Sequence, residues 1–195
     1  MTDHAAPAGP GPSEDLDAPT AGLAAAVLEV ARHVGDKPLP APRWFALAPT
    51  AALIAAQPAF ASLLDPAEVE SAREDPSHLT PIEIEAEAPT RTPGTTGGAH
   101  DPLAVLEHVA WPDIAAGAAL VCDLAAVAPA AGSEHRAADR LGDGPVRAVV
   151  ASRTDGTTWS ALRGRGRRDW ALGPRLVPDL ADALVASIGQ DADGS

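Results

Sequence analysis

The dipeptide Asp155-Gly156 lies between two apolar segments, and it constrains the fold more than any other feature of this chain. A two-residue Asp-Gly loop favours a type I′ turn, which joins neighbouring antiparallel strands. We therefore predict strands over residues 146–153 and 157–163. Such a loop also places Trp159 on the same face of the sheet as Val150, since side chains alternate along a strand.

Hydrophobic periodicity and helix-start signals define the remaining elements. A strand over residues 118–127 completes a three-stranded meander, and "RWFALAP" (43–49) is a further strand. Helices are predicted over residues 20–35, 50–57, 58–64, from 66 onward, 102–110 and 178–188, the last ending at Gly189. This order predicts an α+β fold: a two-layer sandwich in which helices pack on one face of an antiparallel sheet.

The segment "LTPIEIEAEAP" (79–89) carries two conflicting signals. Thr80, Pro81 and Glu83 match a capping box, which favours a helical turn. Ile82 and Ile84 alternate with acidic residues, which favours a strand. We prefer the short helical turn, because proline suits the first position of a helix.

Pro, Gly and polar residues mark the parts of the chain that lie outside the folded core. We expect residues 1–19 and 190–195 to be disordered tails around a single domain over residues 20–189, with flexible loops at about 90–100 and 128–144. Hydrophobic residues make up 46% of the chain but aromatic residues only 3%, so the core must rely on small aliphatic side chains.

The net charge of −13 argues against binding to DNA or to an anionic membrane and makes RNA binding the weakest option. We see neither a signal peptide nor a membrane span, so we expect a cytoplasmic protein. The single cysteine, Cys122, excludes an internal disulfide and lies in an apolar strand, where a buried, inert thiol is expected. The histidines are scattered, and we expect no metal, no cofactor and no catalytic group.

The corner Trp111-Pro112-Asp113 is one candidate site. Pro112 ends the preceding helix and Asp113 has the side chain for an Asx-turn that starts the next strand, so we favour a structural hinge over a ligand site. His108 lies beside this corner. An enzyme site near Arg43, His108 and Asp113 is the alternative.

The segment "RGRGRRD" (163–169) is the second candidate, with Arg163, Arg165, Arg167 and Arg168 as possible binding residues. Residues 136–175 contain nine Arg against four Asp, whereas residues 65–88 contain eight acids against one Arg. A solvated surface is the simplest interpretation of this bipolar charge. We nevertheless expect a non-enzymatic binding or adapter protein whose partner is another protein. RNA binding through residues 163–168 is a weaker alternative, and the sequence does not indicate an oligomeric state.

Five stretches of the chain form a distinctive set: "RWFALAPTAALIAAQP", "HLTPIEIEAE", "HVAWPDIAAGAALVCD", "VRAVVASRTDG" and "LGPRLVPDLADALVASI". Together they resemble a small uncharacterised family of actinobacterial proteins named after a locus of a skin propionibacterium. The family has no assigned activity, cofactor or catalytic residue, so the resemblance gives no prediction of function. This chain departs from the family at Ile84, where a polar residue is usual, and near 164–168, where the family segment is shorter and less basic.

Overall fold

The computed structural model describes residues 16–63, 65–85, 102–106, 108–124 and 145–192. The helices are α1 (Ala18–Val34), α2 (Thr50–Ala56), α3 (Pro66–Glu74), α4 (Pro102–Leu106) and α5 (Pro178–Ala192), with a 3-10 helix at Pro58–Leu63. The strands are β1 (Arg43–Pro49), β2 (Leu79–Ile84), β3 (Gly117–Leu124), β4 (Val146–Arg153), β5 (Thr158–Gly164) and β6 (Ala171–Gly173). Residues 1–15, both predicted flexible loops and residues 193–195 lie outside the described residues.

The six strands form one open antiparallel sheet in the order β2-β1-β3-β4-β5-β6. The predicted α+β class is confirmed. The meander is β3-β4-β5, and the strand predicted at residues 43–49 is β1, which pairs with β3. β6 was not predicted, because a strand of three residues is too short to show a periodic pattern.

The short helical turn predicted near Pro81 is wrong, because Leu79–Ile84 is strand β2. Ile82 and Ile84 pair with Ala46 and Trp44 of β1, so the alternation of apolar and acidic residues was the correct indication of a strand. Pro81 is tolerated because β2 lies at the end of the strand order, where only one side of the strand forms a ladder.

Helices cover both faces of the sheet, which corrects the predicted single helical layer. α1 packs on the face that carries Phe45, Leu47 and Val149. α4 and α5 pack on the opposite face, which carries Trp44, Leu120 and Val150. The physical reason is that the central strands are apolar at successive positions, so both of their faces need a cover.

The β4–β5 hairpin has a three-residue loop, so the predicted two-residue loop and its register are wrong. The Gly156 N–H donates to the Arg153 carbonyl at 3.0 Å, and the Arg153 N–H donates to the Thr157 carbonyl at 2.9 Å. Gly156 has a φ of 85°, which fits a type I turn followed by a left-handed residue. The extra residue shifts the pairing by one, so Trp159 lies opposite Ala151 and points toward α1.

Three helix ends differ from their predicted positions. α1 begins two residues early, because the Asp17 carboxylate accepts the Thr20 N–H at 3.0 Å and caps the helix. α4 ends at Leu106, not near 110, and its Leu103 side chain is exposed. The following turn has i to i−3 hydrogen bonds, which tighten and end the helix. α5 continues past Gly189, which keeps a helical backbone.

We predict opposite effects for two glycine-to-alanine substitutions within helices. A Cβ at Gly22 of α1 would lie 2.2 Å from the Ser77 carbonyl oxygen, whereas a Cβ at Gly189 of α5 would meet nothing within 4 Å. Gly189→Ala should therefore raise the free energy of unfolding by about 0.5–1 kcal/mol. Gly22→Ala should lower it by about 1–3 kcal/mol, because the helix must move away from Ser77. Urea unfolding of both variants checks this, and a stabilised Gly22→Ala protein would contradict the α1 packing.

Candidate functional site

The corner at Trp111 joins three parts of the fold. The Trp111 indole N–H donates to the Ser187 hydroxyl of α5 at 2.9 Å, and that hydroxyl donates to the Leu106 carbonyl at the end of α4 at 3.0 Å. The Trp111 ring is buried in the core cluster beneath α5. These contacts support the hinge interpretation, because a buried indole with its N–H satisfied holds α4 and α5 together.

The turn after Trp111 is closed by backbone groups. The Ala115 N–H donates to the Pro112 carbonyl at 2.8 Å, which takes the place of the predicted Asx-turn. Asp113 and His108 are both exposed. Neither side chain therefore lies in an enclosed pocket.

Arg43 lies far from this corner, so the structure does not bring Arg43, His108 and Asp113 together. Arg43 begins β1 opposite Val121, on the face of the sheet that α1 covers. Asp113 precedes the other end of β3 and follows Trp111, which lies on the opposite face. The two positions are thus separated by the thickness of the sheet and by the length of a strand.

The Arg43 guanidinium is held in a small polar cluster beside α1. Its Nε donates to the Glu83 carboxylate at 2.5 Å, its Nη2 also contacts that carboxylate, and the His33 imidazole lies 3.4 Å from Nη2. The hydrogen bond from Arg43 lowers the pKa of Glu83 and raises the pKa of Arg43 itself. Arg43 therefore ties strands β1 and β2 to the end of α1.

The segment after β5 begins with a tight turn. The Arg167 N–H donates to the Gly164 carbonyl at 3.0 Å, and Gly166 has a φ of 78°, as the third residue of a type II turn requires. The Arg165 N–H donates to the Pro145 carbonyl at 3.0 Å and fixes the turn to the start of β4. Arg165, Arg167 and Arg168 are exposed, and among the described residues none of the three forms an ion pair.

Below this turn lies a buried ion pair between neighbouring strands. Arg147 of β4 is 8% exposed and faces Asp123 of β3. Its Nε and Nη2 contact the two carboxylate oxygens at 2.5 Å and 3.0 Å, while Nη1 and Nη2 donate to the Gly35 and Lys37 carbonyls, each at 2.7 Å. Arg147 thereby binds the segment after α1 to the sheet.

The Asp123 carboxylate has several stabilising partners. Partial burial would raise its pKa, but hydrogen bonds from Arg147 and the Leu39 N–H, with the charges of Arg147 and Arg165, outweigh burial and lower it. The Leu39 N–H lies 2.9 Å from this carboxylate. Asp123 is therefore an anchor and stays ionised at neutral pH.

These elements surround a basic cleft of about 270 Å³. Its lining consists of Asp36, Pro38, Asp123, Pro145, Arg147 and the segment 163–168. Five arginines and two aspartates give the lining a net positive charge within a chain whose net charge is −13. Low-dielectric walls concentrate the field of such charges, so the cleft attracts anions.

A wider groove of about 630 Å³ continues from the cleft and shares Asp36 and Arg163 with it. Arg163 places its guanidinium 4.3 Å from the centre of the Trp170 ring and pairs with the Asp36 carboxylate. Arg32 and Lys37 also line this groove. We call it the Trp170 groove.

The four arginines of residues 163–168 are predicted from the sequence as binding residues, whereas Asp36, Asp123 and Arg147 are not. Asp123 and Arg147 interrupt otherwise apolar strands, "GAALVCDL" and "VRAVVASR", and opposite charges in adjacent strands are a signal for pairing. Asp36 gives no local signal, since its partner Arg163 is 127 residues away.

Two further features of the described residues concern thiol chemistry and metal binding. Burial raises the pKa of the Cys122 thiol to about 12, so this thiol is protonated and unreactive at neutral pH. Within the described ranges no group of three or more His, Cys, Asp or Glu could hold a metal ion. No helix in the described part of the chain has the length and apolar composition needed to cross a membrane.

Fold and site together define a single-sheet α+β protein with helices on both faces and an arginine-lined cleft beside β4 and β5. The model of the PPA1309-like protein family matches residues 23–189 of this chain. The chain belongs to this family, which is uncharacterised, named after a locus and without an assigned activity. Neither a curated protein nor a solved structure matches the chain.

The hinge role of Trp111 predicts a large loss of stability on truncation. Trp111→Ala should lower the free energy of unfolding by about 3–5 kcal/mol, because a buried ring and its hydrogen bond are lost. Ser187→Ala should cost about 1 kcal/mol, because it leaves the ring in place. Asp113→Ala, an exposed neighbour, should change stability by less than about 0.5 kcal/mol. Urea unfolding gives all three values, and a Trp111→Ala protein as stable as wild type would rule out the hinge.

The lowered pKa of Asp123 predicts a pH-dependent contribution to stability. A carboxylate with a depressed pKa stabilises the fold above its unfolded pKa of about 3.9, and this contribution disappears as the pH falls through the folded pKa. Asp123→Asn should therefore cost about 1.5–3 kcal/mol at neutral pH and flatten the loss of stability between about pH 5 and pH 2. Asp182→Asn, which breaks the exposed pair with Arg175, is the control and should cost less than about 1 kcal/mol at neutral pH. Equal pH slopes for wild type and Asp123→Asn would refute the anchor role.

Proposed function

We propose that this protein is a non-enzymatic, cytoplasmic binding or adapter protein, and that its partner is another protein that presents an acidic segment to the basic cleft. The observation that carries the proposal is the concentration of five arginines in one cleft of an acidic chain. Its single cysteine, a free thiol in the core, fits a reducing compartment.

The arginines of the cleft fall into two groups with different roles. Arg147 and Arg163 already have carboxylate partners, so they shape the floor and one wall. Arg165, Arg167 and Arg168 project from the turn and have no such partner among the described residues. Planar guanidinium groups bind carboxylates through paired hydrogen bonds, so this second group is suited to the side chains of an acidic segment.

The cleft offers little for catalysis. Among the residues that the structure describes, its lining contains no His, Ser, Cys or Lys, and its two aspartates are both paired with arginine. General acid–base or nucleophilic chemistry needs at least one group that is available to exchange a proton or to attack. The separation of Arg43 from His108 and Asp113 also weakens the alternative of a small enzyme.

RNA binding at the same cleft remains the weaker alternative. A single-stranded nucleic acid requires a long basic track and stacking platforms for successive bases. The described lining of the cleft contains no aromatic ring, and the ring of the neighbouring Trp170 groove has one face covered by Arg163. The negative charge of the rest of the chain also opposes a long polyanion.

Fluorescence anisotropy with a labelled acidic peptide tests the proposal. A twelve-residue Glu- and Asp-rich peptide should bind, with an affinity that falls as salt rises. Arg167→Gln combined with Arg168→Gln should weaken binding about tenfold or more, which corresponds to about 1.4 kcal/mol. The matched control, Arg73→Gln combined with Arg175→Gln, removes the same charge outside the cleft and should leave the affinity within about twofold.

Three outcomes would overturn the proposal. No binding of the acidic peptide would remove its basis, and equal losses in the two double variants would show general charge attraction in place of a site. Submicromolar binding of a single-stranded RNA at about 150 mM salt, with weaker peptide binding, would favour the RNA alternative.

A further inference from the structure

The Arg163 guanidinium is held on two sides, by the Trp170 ring and by the Asp36 carboxylate. Its side chain is 16% exposed, and Trp170 supports one face of the guanidinium at 4.3 Å. It lines both the basic cleft and the Trp170 groove. A guanidinium that is held by an aromatic face loses little freedom when it binds an anion, so Arg163 is preorganised for that purpose.

The anion that pairs with Arg163 in the structure belongs to the chain itself. The Asp36 side chain is 83% exposed, and its carboxylate contacts the Arg163 Nη2. The residues on either side of Asp36 are fixed, because Arg147 donates to the Gly35 and Lys37 carbonyls at 2.7 Å each. The backbone thus places the Asp36 carboxylate at Arg163 although the carboxylate itself is almost fully in water.

Exposure and placement together make this ion pair easy to replace. The Asp36 carboxylate loses little when it leaves Arg163, because its side chain is 83% exposed and water solvates it well. Arg163 is only 16% exposed, so its guanidinium then needs another anion. Rotation about the Cα–Cβ bond of Asp36 moves its carboxylate away from Arg163 and leaves the fixed backbone unchanged. A second anion can then approach Arg163 from the solvent side.

We infer that an anionic group of the partner segment takes the place of Asp36 on Arg163, and that Asp36 is a built-in competitor at the site. This inference rests on the proposed function and specifies its ligand. A lone carboxylate gains nothing by replacing Asp36, since one ion pair is exchanged for another. A segment with clustered carboxylates gains contacts with Arg165, Arg167 and Arg168 as well, so Asp36 makes the cleft selective for clustered acidic side chains.

Two labelled peptides of equal length test the inference, one with a single Glu and one with four consecutive Glu. Wild type should bind the four-Glu peptide and discriminate strongly against the single-Glu peptide. Asp36→Asn should bind both about two- to fivefold more tightly than wild type does. The relative gain should be larger for the single-Glu peptide, so discrimination between the peptides should fall.

Asp182→Asn is the matched control. It also removes one negative charge from an exposed aspartate–arginine pair, the pair with Arg175, which does not line the cleft. Its affinities should equal those of wild type, which separates the local effect of Asp36 from the change in net charge. Unfolding curves of both variants should stay within about 1 kcal/mol of wild type, since the aspartate of each pair is exposed.

The results distinguish this inference from the proposed function. If wild type binds the four-Glu peptide and Asp36→Asn binds no more tightly, the competitor role is wrong and the binding function stands. If neither protein binds either peptide, both are wrong. Tighter binding by Asp36→Asn that Asp182→Asn reproduces would assign the effect to net charge and overturn the inference.

Discussion

The interaction on which the site depends is the buried pair between Arg147 and Asp123. A guanidinium that is 8% exposed must have its donors satisfied, and this one contacts a carboxylate and two backbone carbonyls. Those carbonyls belong to Gly35 and Lys37, so one side chain fixes both the sheet and the segment after α1. The position of Asp36, and with it the shape of the basic cleft, follows from this single pair. Removal of either charge would leave the other partly desolvated and without its partner, so we expect this change to lower the free energy of unfolding.

The elements with a strong local pattern were predictable from the sequence, and their arrangement was not. β1, β4 and β5 follow from alternating or continuous apolar runs bounded by Pro and Gly. The register at Trp159 failed because an Asp-Gly pair fits two turns, and the longer one inserts a residue that reverses every side chain. The predicted single layer of helices was wrong for a different reason. Small apolar residues at successive positions show that a strand is buried, but they do not show which helix covers each face. The helix that packs on a strand can be far from it in the sequence, so a local pattern does not identify it.

The same limit applied to the site. The arginines of residues 163–168 form a local run, which a sequence reveals directly. Arg147 meets Lys37 from 110 residues away and Asp123 from 24, and Arg163 meets Asp36 from 127. A local pattern cannot identify such partners, because strand order decides which residues meet. The local run therefore indicated the charge of the site, while the fold supplied its floor, its wall and the carboxylate that competes for it.

Strand order also decides how an acidic protein maintains a basic cleft. The acidic helix α3 precedes β2, which lies at one edge of the sheet, and the basic turn follows β5 near the other. Four strand spacings separate β2 from β5, about 19 Å at ~4.8 Å each. This distance is about twice the Debye length of ~8 Å at physiological salt, so the acidic edge hardly weakens the local field of the arginines. A short acidic segment at the cleft is therefore subject mainly to the electrostatic field of the arginines. A long polyanion that runs along the sheet toward β2 reaches the acidic edge and is repelled there, so the separation of charge across the sheet favours short acidic segments over nucleic acids.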